Sequence, residues 1–134
     1  MKEYEYLTEN AKEYEYLYNI SKIKYMIMEK LEEEKSVYKI VDKLKEKNIY
    51  IYGAGTIGKK LYKILINYNE IKILGFIERD RDNGDNIISL KHSNEKINPE
   101  AIIIITPIDY YNEIMKDINS SGLDNKVFSI LELL

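Results

Sequence analysis

Residues 49–65, IYIYGAGTIGKKLYKIL, constrain the fold more than any other part of the chain. Four strand-forming residues, 49–52, lead directly into a turn that contains Gly53, Gly55 and Gly58. The apolar residues that follow recur at helical spacing, at Ile57, Leu61, Ile64 and Leu65. A strand that passes through so short a turn into a helix is typical of a β-α-β unit, in which the next strand is parallel to the first.

The sequence after this unit continues the alternation. Further strands are predicted at residues 71–77, 87–90, 101–106 and 126–130. The run AIIIIT at 101–106 is apolar throughout, as a central parallel strand covered on both faces should be. A helix capped by Asp109 and ending at Gly122 is expected before the last strand, with its apolar stripe at Tyr111, Ile114, Met115 and Ile118. The pattern predicts an α/β fold, a three-layer Rossmann-like parallel sheet of about five strands in the order 3-2-1-4-5.

The segment before Asn48 has a different composition, with no glycine or proline and many Glu, Lys and Tyr residues. It predicts a helical pair in which Ser36 caps the second helix, whose apolar residues are Val37, Ile40, Val41 and Leu44. The first helix carries a seam at 3-4 spacing, made of Tyr4, Leu7, Ala11, Tyr14, Tyr18, Ser21, Tyr25 and Met28. Beside it runs a second apolar line of Ile20, Ile23, Ile27 and Leu31. We therefore divide the chain into a helical segment, 1–47, and a Rossmann-like domain, 48–134.

Three roles are open to the helical segment. Its helices cover the flank of their own domain, or they mediate a homo-oligomer, since so much helix is more than one small sheet needs. Binding at a membrane surface is the least favoured role, because the lysines are balanced by acidic residues and form no basic face.

Composition excludes several classes of function. With 134 residues and a net charge of -3, the chain has room for one compact domain, and its Lys and Arg residues are too dispersed to predict nucleic-acid binding. The absence of cysteine excludes disulfides, thiolate metal sites and cysteine nucleophiles. No stretch approaches the roughly 20 apolar residues of a membrane span, and the charged N-terminus does not resemble a signal peptide. We expect a cytoplasmic protein with no membrane insertion.

The glycine turn, residues 53–58, has the spacing GxGxxG between a strand and a helix, which is typical of nucleotide binding. In this motif Gly53 permits the tight turn, Gly55 lets a pyrophosphate approach the backbone, and Gly58 lets helix and strand pack closely. The amides of Thr56 and Ile57 would then point at the phosphates from the helix N-terminus. We predict that the whole turn, including Ala54, binds the ligand. The alternative is that the glycines only serve a tight strand-to-helix turn in a Rossmann-like domain that binds none.

Residues at the ends of two other strands complete the predicted site. Glu78 follows the second strand about 20 residues after Gly58, where an acidic side chain binds a ribose diol. A carboxylate repels the 2′-phosphate of NADP, whereas the neighbouring Arg79 and Arg81 would attract it, and on balance we favour NAD. Thr106 and Pro107 end the fourth strand at the same edge of the sheet. The hydroxyl of Thr106 either contacts a ribose or nicotinamide or only completes the strand. Asp109 and Tyr110 border the same crevice.

Three segments, IYGAGTIGKKL, ILGFIERD and AIIIITP, resemble Rossmann-like domains of bacterial surface-polysaccharide and nucleotide-sugar enzymes. Such domains precede the catalytic part of sugar-nucleotide dehydratases and begin some sugar acyltransferases. The segments also resemble stand-alone proteins described as nucleoside-diphosphate-sugar epimerases. The resemblance covers 48–134 and implies a ligand such as NAD(P), a nucleotide-sugar or CoA. The chain departs from that pattern in having GFIERD for GFIDDD, a shortened NGDNIISL hairpin and no acyltransferase or dehydratase part. Residues 1–48 have no counterpart in it.

No residue set predicts a catalyst, so the catalytic residues are unknown. Tyr18 and Lys22 have the YxxxK spacing of short-chain dehydrogenases but precede the glycine turn instead of following it. The sole histidine, His92, lies in a polar connector without metal-ligand partners, and ERDRDNGD lacks the residue order of an EF-hand. We therefore expect no metal site and a nucleotide-binding domain for NAD(H) or a nucleotide-sugar. The alternatives are a non-catalytic ligand-sensing or oligomerisation adaptor and an oxidoreductase subunit completed by a partner chain.

Overall fold

The computed structural model describes residues 2–81 and 86–134, with side chains described from residue 10 onward. Within these residues one sheet of parallel strands has the order β3-β2-β1-β4-β5. Its strands are β1 (Asn48–Tyr52), β2 (Lys72–Glu78), β3 (Ile87–Ser89), β4 (Ile102–Ile105) and β5 (Val127–Ser129). This confirms the predicted α/β class and strand order.

Helices cover both faces of the sheet. The first face carries α1 (Lys2–Lys30), α2 (Glu34–Leu44), α3 (Thr56–Leu65) and α6 (Ile130–Leu133). The second face carries α4 (Leu90–Ser93), a 3-10 turn (Asn94–Lys96) and α5 (Tyr111–Ser120). Successive residues of β1 point to opposite faces, so Ile49 and Ile51 enter the first core whereas Tyr50 and Tyr52 enter the second.

The two apolar lines of α1 have different environments. Ile27 and Leu31 are buried in the same core as α2, α3 and β1, with Ile23 packed against them. Tyr14, Tyr18 and Tyr25 of the other line remain exposed. The C-terminal half of α1 thus covers the flank of the sheet, and the tyrosine seam faces away from it.

Two predicted helix caps are wrong. Ser36 lies inside α2, because the helix begins at Glu34 and its N-cap is Glu33. The Ser36 hydroxyl donates a hydrogen bond to Glu33 Oε2 at 3.1 Å. The N-cap of α5 is Tyr110, and the carboxylate of Asp109 instead pairs with Lys24 Nζ of α1 at 3.3 Å. The Asp109 side chain therefore forms a long-range ion pair and does not cap α5.

The outer strands β3 and β5 are shorter than predicted because a serine at the end of each begins a helix. The Ser89 hydroxyl accepts a hydrogen bond from the His92 amide, which places His92 in α4 and not in a loop. Ser129 and Glu132 form a capping box at the start of α6. The predicted end of α5 is confirmed at Gly122, which has φ +76° and donates its amide to the Asn119 carbonyl.

The connection from β2 to β3 includes residues 82–85, which lie outside the described residues. The EF-hand comparison and the shortened hairpin fall partly on them. Across 2–81 and 86–134, every helix is too short or too polar to span a bilayer.

Candidate functional site

The glycine turn lies at the carboxyl edge of the sheet, between β1 and α3. Gly53 has φ +98°, and a Cβ there would lie 2.8 Å from both Pro107 Cδ and Thr106 Oγ1. A Cβ on Gly58 would lie 1.9 Å from the carbonyl oxygen of Gly53, because α3 packs directly on the turn. Both positions require glycine for reasons internal to the fold.

Gly55 is under no such constraint. Its φ of -85° and ψ of -161° suit any residue, and a Cβ would have no atom within 4 Å. It is the N-cap of α3, whose first amides have no partner within the helix. The space before it belongs to a cavity of about 210 Å³, which we call the turn cavity. Its lining residues are Lys24, Gly55, Thr56, Ile57, Gly58, Thr106, Pro107 and Asp109.

Glu78 joins the end of β2 to the glycine turn. Its Oε1 accepts a hydrogen bond from the Ala54 amide at 2.8 Å and lies 3.4 Å from Arg81 Nη2. The carboxylate therefore stands beside the turn, at the place where the sequence predicts it. It fixes the backbone between Gly53 and Gly55, and binding of a ribose by it remains a prediction.

Thr106 stabilises the glycine turn through hydrogen bonds to its backbone. The residue is only 2% exposed, and its hydroxyl donates to the Tyr52 carbonyl at 2.8 Å, with the Gly53 carbonyl at 3.2 Å. Of the two roles considered for this hydroxyl, the geometry favours completion of the strand. Pro107, the next residue, lies against Gly53 and lines the cavities on either side of it.

A second cavity, of about 270 Å³, opens on the other side of Pro107; we call it the acidic cavity. Arg79 borders it, with its Nε 3.3 Å from Asp117 Oδ2 of α5. Its lining residues are Tyr52, Glu78, Arg79, Pro107, Tyr110, Glu113, Ile114 and Asp117.

Tyr52 is the unusual residue of the acidic cavity. It is 3% exposed, and its hydroxyl has no hydrogen-bond partner among the described residues. Burial, reinforced by the negative charges of Asp117 and Glu78, raises the pKa of Tyr52 to about 12. A buried hydroxyl normally has a partner, so Tyr52 stands out among the residues that line this cavity.

The structure brings most of the predicted site residues together at one edge. Gly53, Gly55 and Gly58 form the turn, while Glu78 and Arg79 line the adjoining acidic cavity. Tyr18 and Lys22 instead lie on α1, where Lys22 Nζ is 5.2 Å from the centre of the Tyr18 ring, and neither lines either cavity. His92 is exposed on α4.

Two residues of this edge were not found from the sequence. Lys24 reaches the turn cavity from α1, 85 positions before its partner Asp109, and no local pattern reports such a contact. Tyr52 could have been found from the sequence, because it is the last residue of β1 before Gly53 and therefore lies at the carboxyl edge of the sheet.

Comparison with known proteins adds no relative, since no family model, curated protein or solved structure matches this chain. The turn cavity and the acidic cavity are therefore the features of the molecule that indicate a function.

Proposed function

We propose that this protein binds a nucleotide, NAD(H) or a nucleotide-sugar, with the pyrophosphate at the glycine turn. Gly55 is the observation that carries the proposal. Packing requires the glycines at 53 and 58, whereas neither backbone strain nor packing requires the one at 55, and its N-cap position would suit Ser, Thr, Asn or Asp as well as glycine. A ligand that approaches the backbone in front of α3 does explain it.

The charges around the turn suit a phosphate. The first amides of α3 and the positive end of its dipole face the turn cavity, and the first turn of the helix has no acidic residue. Lys24 adds a cation to the lining of the cavity, beside the carboxylate of Asp109.

The acidic cavity suits the other end of such a ligand. Its lining has more carboxylates than cations, which favours ribose hydroxyls and disfavours a further phosphate. This supports NAD over NADP. A role in cell-surface carbohydrate metabolism, as a subunit or stand-alone homologue, is supported by the resemblance of the three sequence segments alone.

A thermal-shift panel with NAD, NADH, NADP, CoA and UDP-glucose tests the proposal. A ligand at 100 times its Kd adds about 2.7 kcal/mol to the free energy of unfolding, which is several degrees for a domain of this size. We expect one nucleotide to raise the midpoint, and its identity distinguishes a redox cofactor from a sugar carrier.

The matched variants are Gly55→Val, which fills the turn cavity, and Asn69→Val, an exposed position at the opposite edge of the sheet. The shift should vanish in Gly55→Val and persist in Asn69→Val. If protein shown by mass spectrometry to carry no nucleotide responds to none of the ligands, the proposal is wrong.

A second candidate function is that of an adaptor that self-associates through α1. The specific observation is that Ile27 and Leu31 dock on the sheet whereas Tyr14, Tyr18 and Tyr25 face away from it. An exposed aromatic seam of this spacing matches the contact surface of a helix pair, and its proposed partner is the same seam of a second copy.

A further inference from the structure

Lys24 places a positive charge from the N-terminal helix over the glycine turn. It lines the turn cavity together with Gly55 and Thr56, and its Nζ lies 3.3 Å from Asp109 Oδ2. The side chain is 45% exposed, so the amine is open to an incoming ligand. Among the described residues that line this cavity, Lys24 and Asp109 are the charged ones.

The position of Lys24 is fixed by packing. Ile27, one helical turn later, is fully buried in the first core, and Leu31 follows on the same side. Lys60 of α3 also pairs with Glu32, two residues after the end of α1. The lysine is therefore held at the rim of the turn cavity by the fold itself.

Asp109 and a phosphate are alternative partners for this amine. The lysine–aspartate pair is partly exposed, and such pairs contribute little free energy. A pyrophosphate held at the amides of Thr56 and Ile57 would offer the amine several charged oxygens in charge-assisted hydrogen bonds. Across Pro107, Tyr52 lines the acidic cavity, and its buried hydroxyl has no partner among the described residues, which is an independent sign of a ligand at this edge.

We propose that Lys24 binds the phosphate of the ligand at the glycine turn, exchanging Asp109 for phosphate oxygen. This inference rests on the proposed function for the identity of the ligand, and it adds that α1 is part of the binding site. Ligand binding would then add a contact between the domain and α1, the helix that also carries the exposed tyrosine seam.

Isothermal titration at low salt tests the inference, with NAD, UDP-glucose and inorganic pyrophosphate as probes. Lys24→Gln should weaken binding of pyrophosphate, and of whichever nucleotide binds, by about tenfold. The matched control is Lys22→Gln, which removes an exposed lysine of the same helix outside both cavities and should change affinity less than about twofold. Asp109→Asn, which removes the competing carboxylate, should tighten binding by about threefold.

Hydrogen exchange tests separately whether the bound ligand contacts α1 through Lys24. Bound pyrophosphate or nucleotide should slow hydrogen exchange in residues 20–30 of the wild-type protein and of Lys22→Gln, but not of Lys24→Gln.

Equal affinities of wild type and Lys24→Gln, or equal weakening by both lysine substitutions, would overturn the role of Lys24 while leaving nucleotide binding intact. Conversely, pyrophosphate that binds through Lys24 without binding of any nucleotide would support the phosphate site and overturn the nucleotide proposal. If neither probe class binds, both are wrong.

Discussion

At Gly58 the helix lies so close to the turn that a methyl group has no room. A Cβ added at this position would lie 1.9 Å from the Gly53 oxygen, far below any real contact, and the opposing atom is backbone that cannot move aside alone. At Gly55, three residues earlier, the same methyl group would meet nothing. One motif therefore contains one glycine that the fold requires and one that it does not.

Gly58→Ala should destabilise the protein by about 3 kcal/mol or more, because α3 must move away from the turn. Gly55→Val should cost no more than about 1 kcal/mol, the loss expected when a good N-cap residue is replaced. Urea unfolding followed by circular dichroism measures both. Similar losses in the two variants would contradict the described packing of α3 on Gly53.

Tyr52→Phe tests the buried hydroxyl through pH. The folded-state pKa of about 12 lies above the ordinary value of 10, so the folded protein keeps a proton that the unfolded chain loses first. The stability of wild type relative to Tyr52→Phe should be constant below pH 10 and fall by about 2 kcal/mol as the pH rises towards 12.

At neutral pH the Tyr52→Phe variant should be at least as stable as wild type, because the hydroxyl it removes is buried without a partner among the described residues. The measurement is the difference in unfolding free energy between the two proteins from pH 8 to 12. A difference that does not change with pH would show that the hydroxyl is not held protonated.

At the scale of elements, α1 belongs partly to the core and partly to the surface. Removing residues 1–35, the obvious test for a helical appendage, would also remove Ile27 and Leu31 from the first core. Such a truncation would measure folding as well as association. Substitutions on the two faces of the helix separate the two effects.

Ile27→Ala should cost about 2 to 4 kcal/mol, because it leaves a cavity beneath α1 in a fully buried position. Tyr25→Ala, two residues away on the exposed seam, should change stability by less than about 0.5 kcal/mol. Thermal and urea unfolding of the two variants provide the comparison. A large loss from Tyr25→Ala would instead indicate that the seam is buried in solution.

Elements whose formation depends on neighbouring residues could be predicted from the sequence, and those that depend on distant contacts could not. Alternation of apolar runs predicted the strands and their order, because connections between parallel strands have one favoured hand. The cap predicted at Asp109 failed because α5 begins one residue later, with Tyr110 as its N-cap, and Asp109 instead pairs with Lys24, 85 residues away. Spacing placed Glu78 beside the turn, but only packing showed that Thr106 faces the backbone and that Tyr52 lacks a partner among the described residues.

For the molecule as a whole, the second candidate function predicts that two copies form a dimer through α1. Replacing Tyr14, Tyr18 and Tyr25 together by Ser removes the exposed aromatic seam without touching the core. If the seam forms a dimer, this triple variant should sediment as a monomer under conditions in which wild type is dimeric.

The control is Tyr38→Ser, which removes an exposed tyrosine from α2 and should leave the dimer intact. Sedimentation velocity of the three proteins over a wide range of protein concentrations measures the change. Wild-type protein that sediments as a monomer throughout would exclude the dimer.

The three-residue strand β5 covers the edge of β4, which would otherwise be the edge of the sheet. It pairs Val127, Phe128 and Ser129 with the isoleucines of β4, and the capping box of α6 holds its end. If residues 127–134 detach, an unbroken row of isoleucines becomes the edge of the sheet, with unpaired backbone groups that can recruit strands from other molecules. Loss of β5 and α6 is therefore expected to make this protein more prone to aggregate.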